Sequence, residues 1–360
     1  MVYEFCMDKL DSVLKKHKGL RRLLSPKMKT SPCPYDGITF YTDRSITPEF
    51  FMLVRPAMFG LADADRRYRY CLKHRRFTIF WAPLSPDISQ TIIRLNPHKN
   101  KYSPAQVLDL IGFIVGDYSG VHVGKFDEKV DLPDRTVEDV VKRLHVPYKR
   151  KALDYKEKGE TYYFGSRKGQ QVKVYNKGKQ RGIHKKLVRI ERTTKYKKNQ
   201  RPAVADFFLN SRNDIMSQLL LVDTDKIDNR TAIKKRLKTS KTFFEGYKML
   251  DDKQKRELKR HSAFKHPLID LQQVVQDELK EWLNSSPHLF IKVQFGHLKL
   301  VLDAWRSGTW RFGKTEKFSP VLKRKPQNIH VCLDALGWGI SCPNFMKKGR
   351  MNFDETKLII

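Results

Sequence analysis

The sequence predicts an α+β fold, with a mainly antiparallel central sheet and flanking helices, followed by a mainly helical C-terminal region. Three observations predict it. Residues 35–96 and 121–195 contain segments that alternate apolar or aromatic residues with polar ones, the period of half-buried strands. Two stretches inside this region, 102–115 and 136–144, carry apolar residues at helical spacing. Beyond about Val204 the helical period takes over, most clearly in LIDLQQVVQDELKEWLN at 268–284.

Residues 1–34 read as a short basic helix followed by a Pro-containing linker, SPKMKTSPCP. From Tyr35 to about Asn96 the segments FTIFWAPL and TIIRLN are rich in strand formers, and RRYRYCLKHRRFTIFW alternates basic with aromatic or apolar residues. Ser103-Pro104 starts a helix whose stripe is Val107, Leu108, Ile111 and Ile114. Strands follow at 121–132, 170–178 and 186–195. Between the first two, TVEDVVKRL forms a helix on Val137, Val140, Val141 and Leu144. TYYFGSRKGQQVKVY reads as a hairpin with Gly165 and Gly169 near its turn. AIKKRLKTSKTFFEGYKML and DDKQKRELKRH continue as helices, and from Leu289 the pattern is mixed, with a strand-like LFIKVQF. Three parts result: 1–34, an α+β domain over 35–204, and a mainly helical region over 205–360. No Gly/Ser linker marks the boundary near 205.

The 360 residues include 72 Lys or Arg and 39 Asp or Glu, a formal charge of +33. Such a charge costs stability through self-repulsion and fits a chain whose partner is a polyanion. Nucleic acid is the first expectation. An anionic membrane is the runner-up, but no Lys-rich amphipathic helix stands at either end. No apolar run approaches the ~18–20 residues of a membrane span, and the N-terminal residues lack the apolar core of a secretory signal. The five cysteines, Cys6, Cys33, Cys71, Cys332 and Cys342, are odd in number and contain no CxxC, so neither a disulfide framework nor a zinc module is expected. Scattered thiols fit a reducing cytoplasm.

Residues 142–198 hold 20 Lys or Arg against Asp154, Glu157, Glu160 and Glu191, a net +16. So lopsided a ratio reads as a phosphate-binding track, with salt-sensitive binding. Residues 230–260 hold 12 bases against four acids, and are either a second DNA contact or an exposed helix face.

Side chains at i and i+2 on a strand share a face. Lys125, Asp127, Lys129 and Asp131 therefore share one face of 121–132. Lys173, Tyr175 and Lys177 share one face of 170–178, and Arg189, Glu191 and Thr193 one face of 186–195. If the three strands are neighbours, Asp127, Asp131 and Glu191 converge near Tyr175, Lys177 and Arg189. Carboxylates without Cys or clustered His form a hard oxygen set, suited to Mg²⁺ or Mn²⁺ rather than zinc. Such an ion can polarise a phosphate. A neighbouring tyrosine can serve as nucleophile if a cation such as Lys177 and the metal favour its phenolate. A phosphotyrosyl ester conserves the bond energy, which suits cutting and rejoining. The residue pattern equally allows a plain alternative: the acids are salt-bridge partners of the bases around them, and Tyr175 is a sheet-surface residue.

The order FDEKVDL, TYYFGSRKGQQVKVYNKGKQ, LVRIERTT resembles that of rolling-circle replication initiation factors, the plasmid initiators and the related filamentous-phage gene II-type proteins. The matching positions are Phe126-Asp127, Tyr163-Phe164-Gly165-Ser166-Arg167, Tyr175-Asn176-Lys177 and Arg189-Ile190-Glu191. They cover about residues 95–195. The resemblance implies a nicking-joining endonuclease in the 35–204 domain. It would cut one strand at a replication origin, stay linked to the 5′ phosphate, and leave a 3′ hydroxyl to prime synthesis. Tyr175 is then the nucleophile, with Tyr163 as its rival, and Lys177 assists. Asp127 and Glu191, with Asp131, hold Mg²⁺ or Mn²⁺, and Arg167, Lys168, Lys173 and Arg189 contact DNA. The expected partners are single- and double-stranded origin DNA, then host helicase and polymerase, with a homodimer as the assembly. The expected location is the cytoplasm of a bacterial host. Two departures stand out: Lys125 occupies a position where such proteins commonly have Arg, and no His-hydrophobe-His pair is present, His122 standing alone.

Overall fold

The computed structural model describes residues 3–5, 11–13, 16, 18–25, 32–55, 58–61, 67–147, 156–158, 161–165, 170–182, 186–209, 216, 219–228 and 231–286. The chain divides into two units, Met1–Phe290 and Ile291–Ile360, and every described residue lies in the first. Arg167, Lys168 and the LFIKVQF segment lie outside the described residues.

In chain order the first elements are strand Tyr3–Phe5 (β1), helix Lys18–Leu24 (α1), strand Tyr35–Thr42 (β2), helix Pro48–Val54 (α2), and strands Met58–Leu61 (β3), Tyr68–His74 (β4), Phe77–Pro83 (β5) and Thr91–Leu95 (β6). Helices Pro97–Asn100 (α3) and Pro104–Val115 (α4) precede the long strand Val121–Pro133 (β7). Helix Val137–Val141 (α5) leads to short strands Leu144–His145 (β8) and Lys156–Lys158 (β9), then to Thr161–Gly165 (β10) and Gln171–Asn176 (β11). A short helix Lys177–Gln180 (α6) separates β11 from strand Leu187–Lys195 (β12). The remainder is helix Val204–Leu209 (α7), strand Leu220–Leu221 (β13), helices Ala232–Thr239 (α8), Phe243–Lys248 (α9), Asp252–Arg260 (α10) and Ser262–Lys265 (α11), strand Ile269–Asp270 (β14) and helix Leu271–Asn284 (α12).

Among the described residues, eleven strands form one sheet in the order β3-β1-β4-β5-β6-β2-β7-β12-β11-β10-β9. Every pairing is antiparallel except β1 with β4. The fold is thus α+β with a mainly antiparallel sheet, as the alternating segments predict. β1 was not legible in the sequence: within the segment read as helix and linker, Tyr3–Phe5 adds a strand between β3 and β4.

Alternation decides the two faces of the sheet. Phe126, Val130 and Leu132 of β7, Val188 and Ile190 of β12, and Val172 and Val174 of β11 point to one side. There all but Phe126 pack with Val137, Val140 and Val141 of α5 and with Leu271 and Val275 of α12. Trp282 of α12 is fully buried, donates from Nε1 to the Tyr102 carbonyl at 2.8 Å, and meets the rings of Tyr35 and Phe208. Phe207 packs on Tyr35 and Phe126, so the chain enters its C-terminal helices at residue 204 without leaving the core of the sheet. Helices α8 to α11 add a core of their own around Ile233, Leu237, Phe243, Leu250 and Leu258. Their bases, including Lys235, Arg236, Lys238, Arg256 and Lys259, are exposed.

Helix α4 begins where Ser103-Pro104 predicts. Ser103 and Gln106 form a reciprocal capping box, and the predicted stripe Val107, Leu108, Ile111 and Ile114 is buried.

Candidate active site on the polar face of the sheet

The strands β11, β12 and β7 are consecutive in the sheet, and their registers stack polar residues in rows on the face away from the main core. One row is Tyr175–Arg189–Asp131, the next Lys173–Glu191–Lys129, and the third Gln171–Thr193–Asp127. β10 extends the middle row, because Tyr163 pairs with Lys173. An irregularity in the β2–β7 register at Asp36 lets that residue join from β2. The convergence of Asp127, Asp131 and Glu191 around Tyr175 and Arg189 is therefore present in the fold.

Each side chain has a defined partner. The Tyr175 hydroxyl donates to Glu191 Oε2 at 3.3 Å, and Lys173 Nζ donates to Glu191 Oε1 at 2.5 Å. Arg189 is fully buried and bonds both oxygens of Asp131, at 2.6 and 2.7 Å, while its third nitrogen reaches Asp36 at 2.9 Å. Asp127 accepts from Thr193 and, at 2.8 Å, from Lys125. Arg189, expected to contact DNA, is thus held beneath the surface by two carboxylates.

Lys177 differs from expectation. The strand ends at Asn176, whose side chain caps the next turn by accepting from the Lys179 amide, and Lys177 opens helix α6. Its ammonium lies 5.6 Å from the centre of the Tyr175 ring and donates to Gln180 Oε1 at 2.6 Å. Nor is the phenol acidified. Burial first, then the Glu191 carboxylate, push the Tyr175 phenol above its ordinary value, so the hydroxyl keeps its proton. Burial alone would lower the Lys173 ammonium, but the bonded Glu191 outweighs burial and raises it. Burial likewise opposes ionisation of Asp131, yet the hydrogen bonds and charge of Arg189 hold its carboxyl below the usual range.

Among the described bases of the window 142–198, Arg189, Arg192 and Arg143 do not lie together on one exposed surface, while Lys149, Arg150, Lys151, Arg167, Lys168 and Lys185 lie outside the described residues. Alternation along β12 sends Arg189 to the polar face and Arg192 to the opposite one, where it pairs in register with Glu128. Arg143 is held by Asp139 at 2.9 Å and Asp225 at 3.0 Å.

The donor set as it stands does not fit a divalent ion. Both oxygens of Asp127, Asp131 and Glu191 already accept from an ammonium, a guanidinium or a hydroxyl. Among the described residues no three His, Cys, Asp or Glu are grouped to hold a metal. The Lys173 ammonium bonds Glu191 and also feels the Asp127 charge, so a monovalent cation bridges the field of these acids.

Next to the cluster, on the same face, lies a cleft of about 280 Å³ that sequence reasoning missed. Its cations come from four elements: Arg75 and Arg76 from the β4–β5 turn, with Arg75 3.7 Å from Asp11, Arg94 from β6, Lys99 from α3 and Lys125 from β7. Asp36 and Asp127 line its boundary with the tyrosine cluster.

No protein family matches the chain, and neither does any curated protein. Among solved structures, the chain is similar to a rolling circle replication initiator protein from Geobacillus stearothermophilus, at 13% identity and a TM-score of 0.33. That match covers 56% of this chain and 89% of the other. A TM-score of 0.33 is too low for the likeness to carry weight. Among the described residues no helix is long and apolar enough to cross a membrane.

Proposed function

We propose that the chain is a rolling-circle DNA replication initiator. It nicks one strand at an origin through a covalent 5′-phosphotyrosine and rejoins strands at termination. The observation that carries this reading is the Tyr175–Glu191–Lys173 chain of hydrogen bonds, placed by the strands that bear the initiator-like motifs. Glu191 Oε2 is positioned to take the phenolic proton as Tyr175 Oη bonds to phosphorus. The P–O3′ bond breaks, and the 3′ oxygen leaves as a hydroxyl after taking a proton from solvent. Lys173 offsets charge on the phosphate. Rejoining is the reverse, with the 3′ hydroxyl attacking the phosphotyrosine. Tyr163, beside Lys173, remains the rival nucleophile. No step here is routed through Mg²⁺ or Mn²⁺. Use of either ion would require Lys173 or Lys125 to release its carboxylate. The proposed partners are origin DNA, host helicase and polymerase, and a second copy of the chain.

A nicking assay on supercoiled origin DNA, with and without Mg²⁺, tests the reading. Wild type should leave a denaturant-resistant protein–DNA adduct, and Tyr175→Phe should not. The second reading is a non-catalytic nucleic-acid-binding protein. The pairing of every carboxylate in the cluster with a cation or hydroxyl favours it. It predicts salt-sensitive DNA binding, no cleavage with any divalent metal, and indifference to Glu191→Gln.

A further inference from the structure

The cleft beside the tyrosine cluster has a charge pattern that the nicking chemistry does not use. Lys125, Thr39, Arg94 and Thr78 stand in one row across β7, β2, β6 and β5 on the polar face. Lys99 and Arg76 flank this row from α3 and the β4–β5 turn. Lys125 is paired with Asp127, but among the described residues no carboxylate lies within ion-pair distance of Arg76, Arg94 or Lys99. Arg94 and Lys99 are exposed, whereas Arg76 is half-buried. The Arg94 guanidinium lies 4.7 Å from the centre of the Phe80 ring, which restrains it without using its hydrogen-bond donors on an acid. Three uncompensated cations around one cleft repel each other, and that arrangement is relieved by an anion.

We propose that this cleft is a subsite for the backbone phosphates of a single DNA strand, several nucleotides along from the phosphate that Tyr175 attacks. The inference rests on the nicking reading for the direction of the strand, but not for the binding itself. The cleft and the cluster share Asp36 and Asp127, so the surface between them is continuous. Four strand-to-strand steps separate β6 from β11, about 19 Å at ~4.8 Å each, and the Lys125 and Asp131 rows lie six residues apart along β7, about 20 Å at ~3.3 Å each. Arg94 and Tyr175 therefore engage different phosphates. Arg76, Arg94 and Lys99 converge on a single cleft, which takes one backbone, whereas a duplex presents two, on either side of a groove ~12 Å wide. The occupant is accordingly single-stranded. Arg76 and Arg94 supply forked donors to phosphate oxygens, and Lys99 supplies a point charge.

The test is fluorescence anisotropy of the full chain with a labelled single-stranded oligothymidine, titrated at several salt concentrations. Wild type is compared with Arg76→Gln/Arg94→Gln/Lys99→Gln. Each lost phosphate contact removes about 0.7 from the slope of log affinity against log salt, so the triple variant should lose about 2. Lys99→Gln alone, exposed on the short helix α3, should lose about 0.7 and guards against misfolding of the triple variant. Arg94→Lys should keep the wild-type slope. An unchanged slope in both the triple and the Lys99 variants overturns the proposal. So does a loss confined to duplex probes. Adduct formation by wild type separates the two readings. An adduct with unchanged slopes sinks only the cleft proposal, whereas reduced slopes without any adduct sink only the nicking reading.

Discussion

Replacing Glu191 by Gln sets two effects of opposite sign against each other. The side chain keeps its shape but loses its charge and its ability to take a proton from Tyr175, whose hydroxyl stands 3.3 Å away. Loss of a positioned base lowers the rate by about 10²–10⁴. Loss of the adjacent negative charge brings the phenol pKa down, which raises the phenolate fraction. Burial decides the balance, because it is the first cause of the raised phenol and persists in the variant. The phenol therefore stays above its ordinary ~10, and less than about one part in 10³ is phenolate at neutral pH. Base loss wins there. Adduct formation in single turnover should fall by at least about 10² at neutral pH, then rise about tenfold per pH unit as hydroxide replaces the missing base. Wild type should vary far less over the same range. Urea unfolding of the same variant checks that Lys173, left with a neutral partner, has not cost the fold. A faster adduct at neutral pH, or a wild-type pH profile, would falsify the role given to Glu191.

Three further outcomes follow from the packing. Arg189→Met leaves Asp131 and Asp36 without their shared cation. Their side chains are 25% and 23% exposed, so the loss belongs at the low end for a broken buried pair, about 3 kcal/mol by urea unfolding. Because Asp131 is held below its ordinary value, it contributes stability above about pH 4 that is lost as pH falls further, and Arg189→Met should remove that component. Trp282→Ala should cost about 3–5 kcal/mol in the same assay, because it empties the contact between α12, Tyr35 and Phe208. His145 sits edge-on to Phe243, Tyr247 and Phe264, and burial, then Lys259, lower it from 6.5 to about 4. Stability should therefore be full above pH 6.5 and decline as pH falls toward 4, by up to about 1.4 kcal/mol per unit. His145→Phe should flatten that part of the profile in thermal unfolding at several pH values.

The period-2 alternation of β7, β11 and β12 was legible because each strand buries one face against α5 and α12. That burial forces Val172, Val188 and Val130 inward and Tyr175, Arg189 and Asp131 outward. Capping chemistry made the start of α4 equally legible. Lys177 was misplaced because the Asn176 side chain turns the backbone into a helix two residues before the expected end of the strand. The state of the phenol was missed for a different reason. Sequence spacing shows that a cation is near Tyr175, but not that Glu191 is the group its hydroxyl touches. The cleft was illegible because Arg76, Arg94, Lys99 and Lys125 come from four elements, and the register that unites them depends on the pairing of β2 with both β6 and β7. Charge counting over 142–198 could not show which of its bases share a face. Alternation there divides Arg189 and Arg192 between faces, while the cleft's cations Arg76, Arg94 and Lys99, without an ion pair among the described residues, lie upstream of residue 100.

Mapping the covalent bond tests the central claim most directly. Wild-type protein is incubated with a single-stranded origin oligonucleotide, digested, and the nucleotide-bearing peptide sequenced by mass spectrometry. A phosphodiester on the Tyr175 hydroxyl, absent from Tyr175→Phe and retained in Tyr163→Phe, is the predicted result. Modification of Tyr163 instead, or cleavage that leaves no peptide attached to DNA, would contradict it.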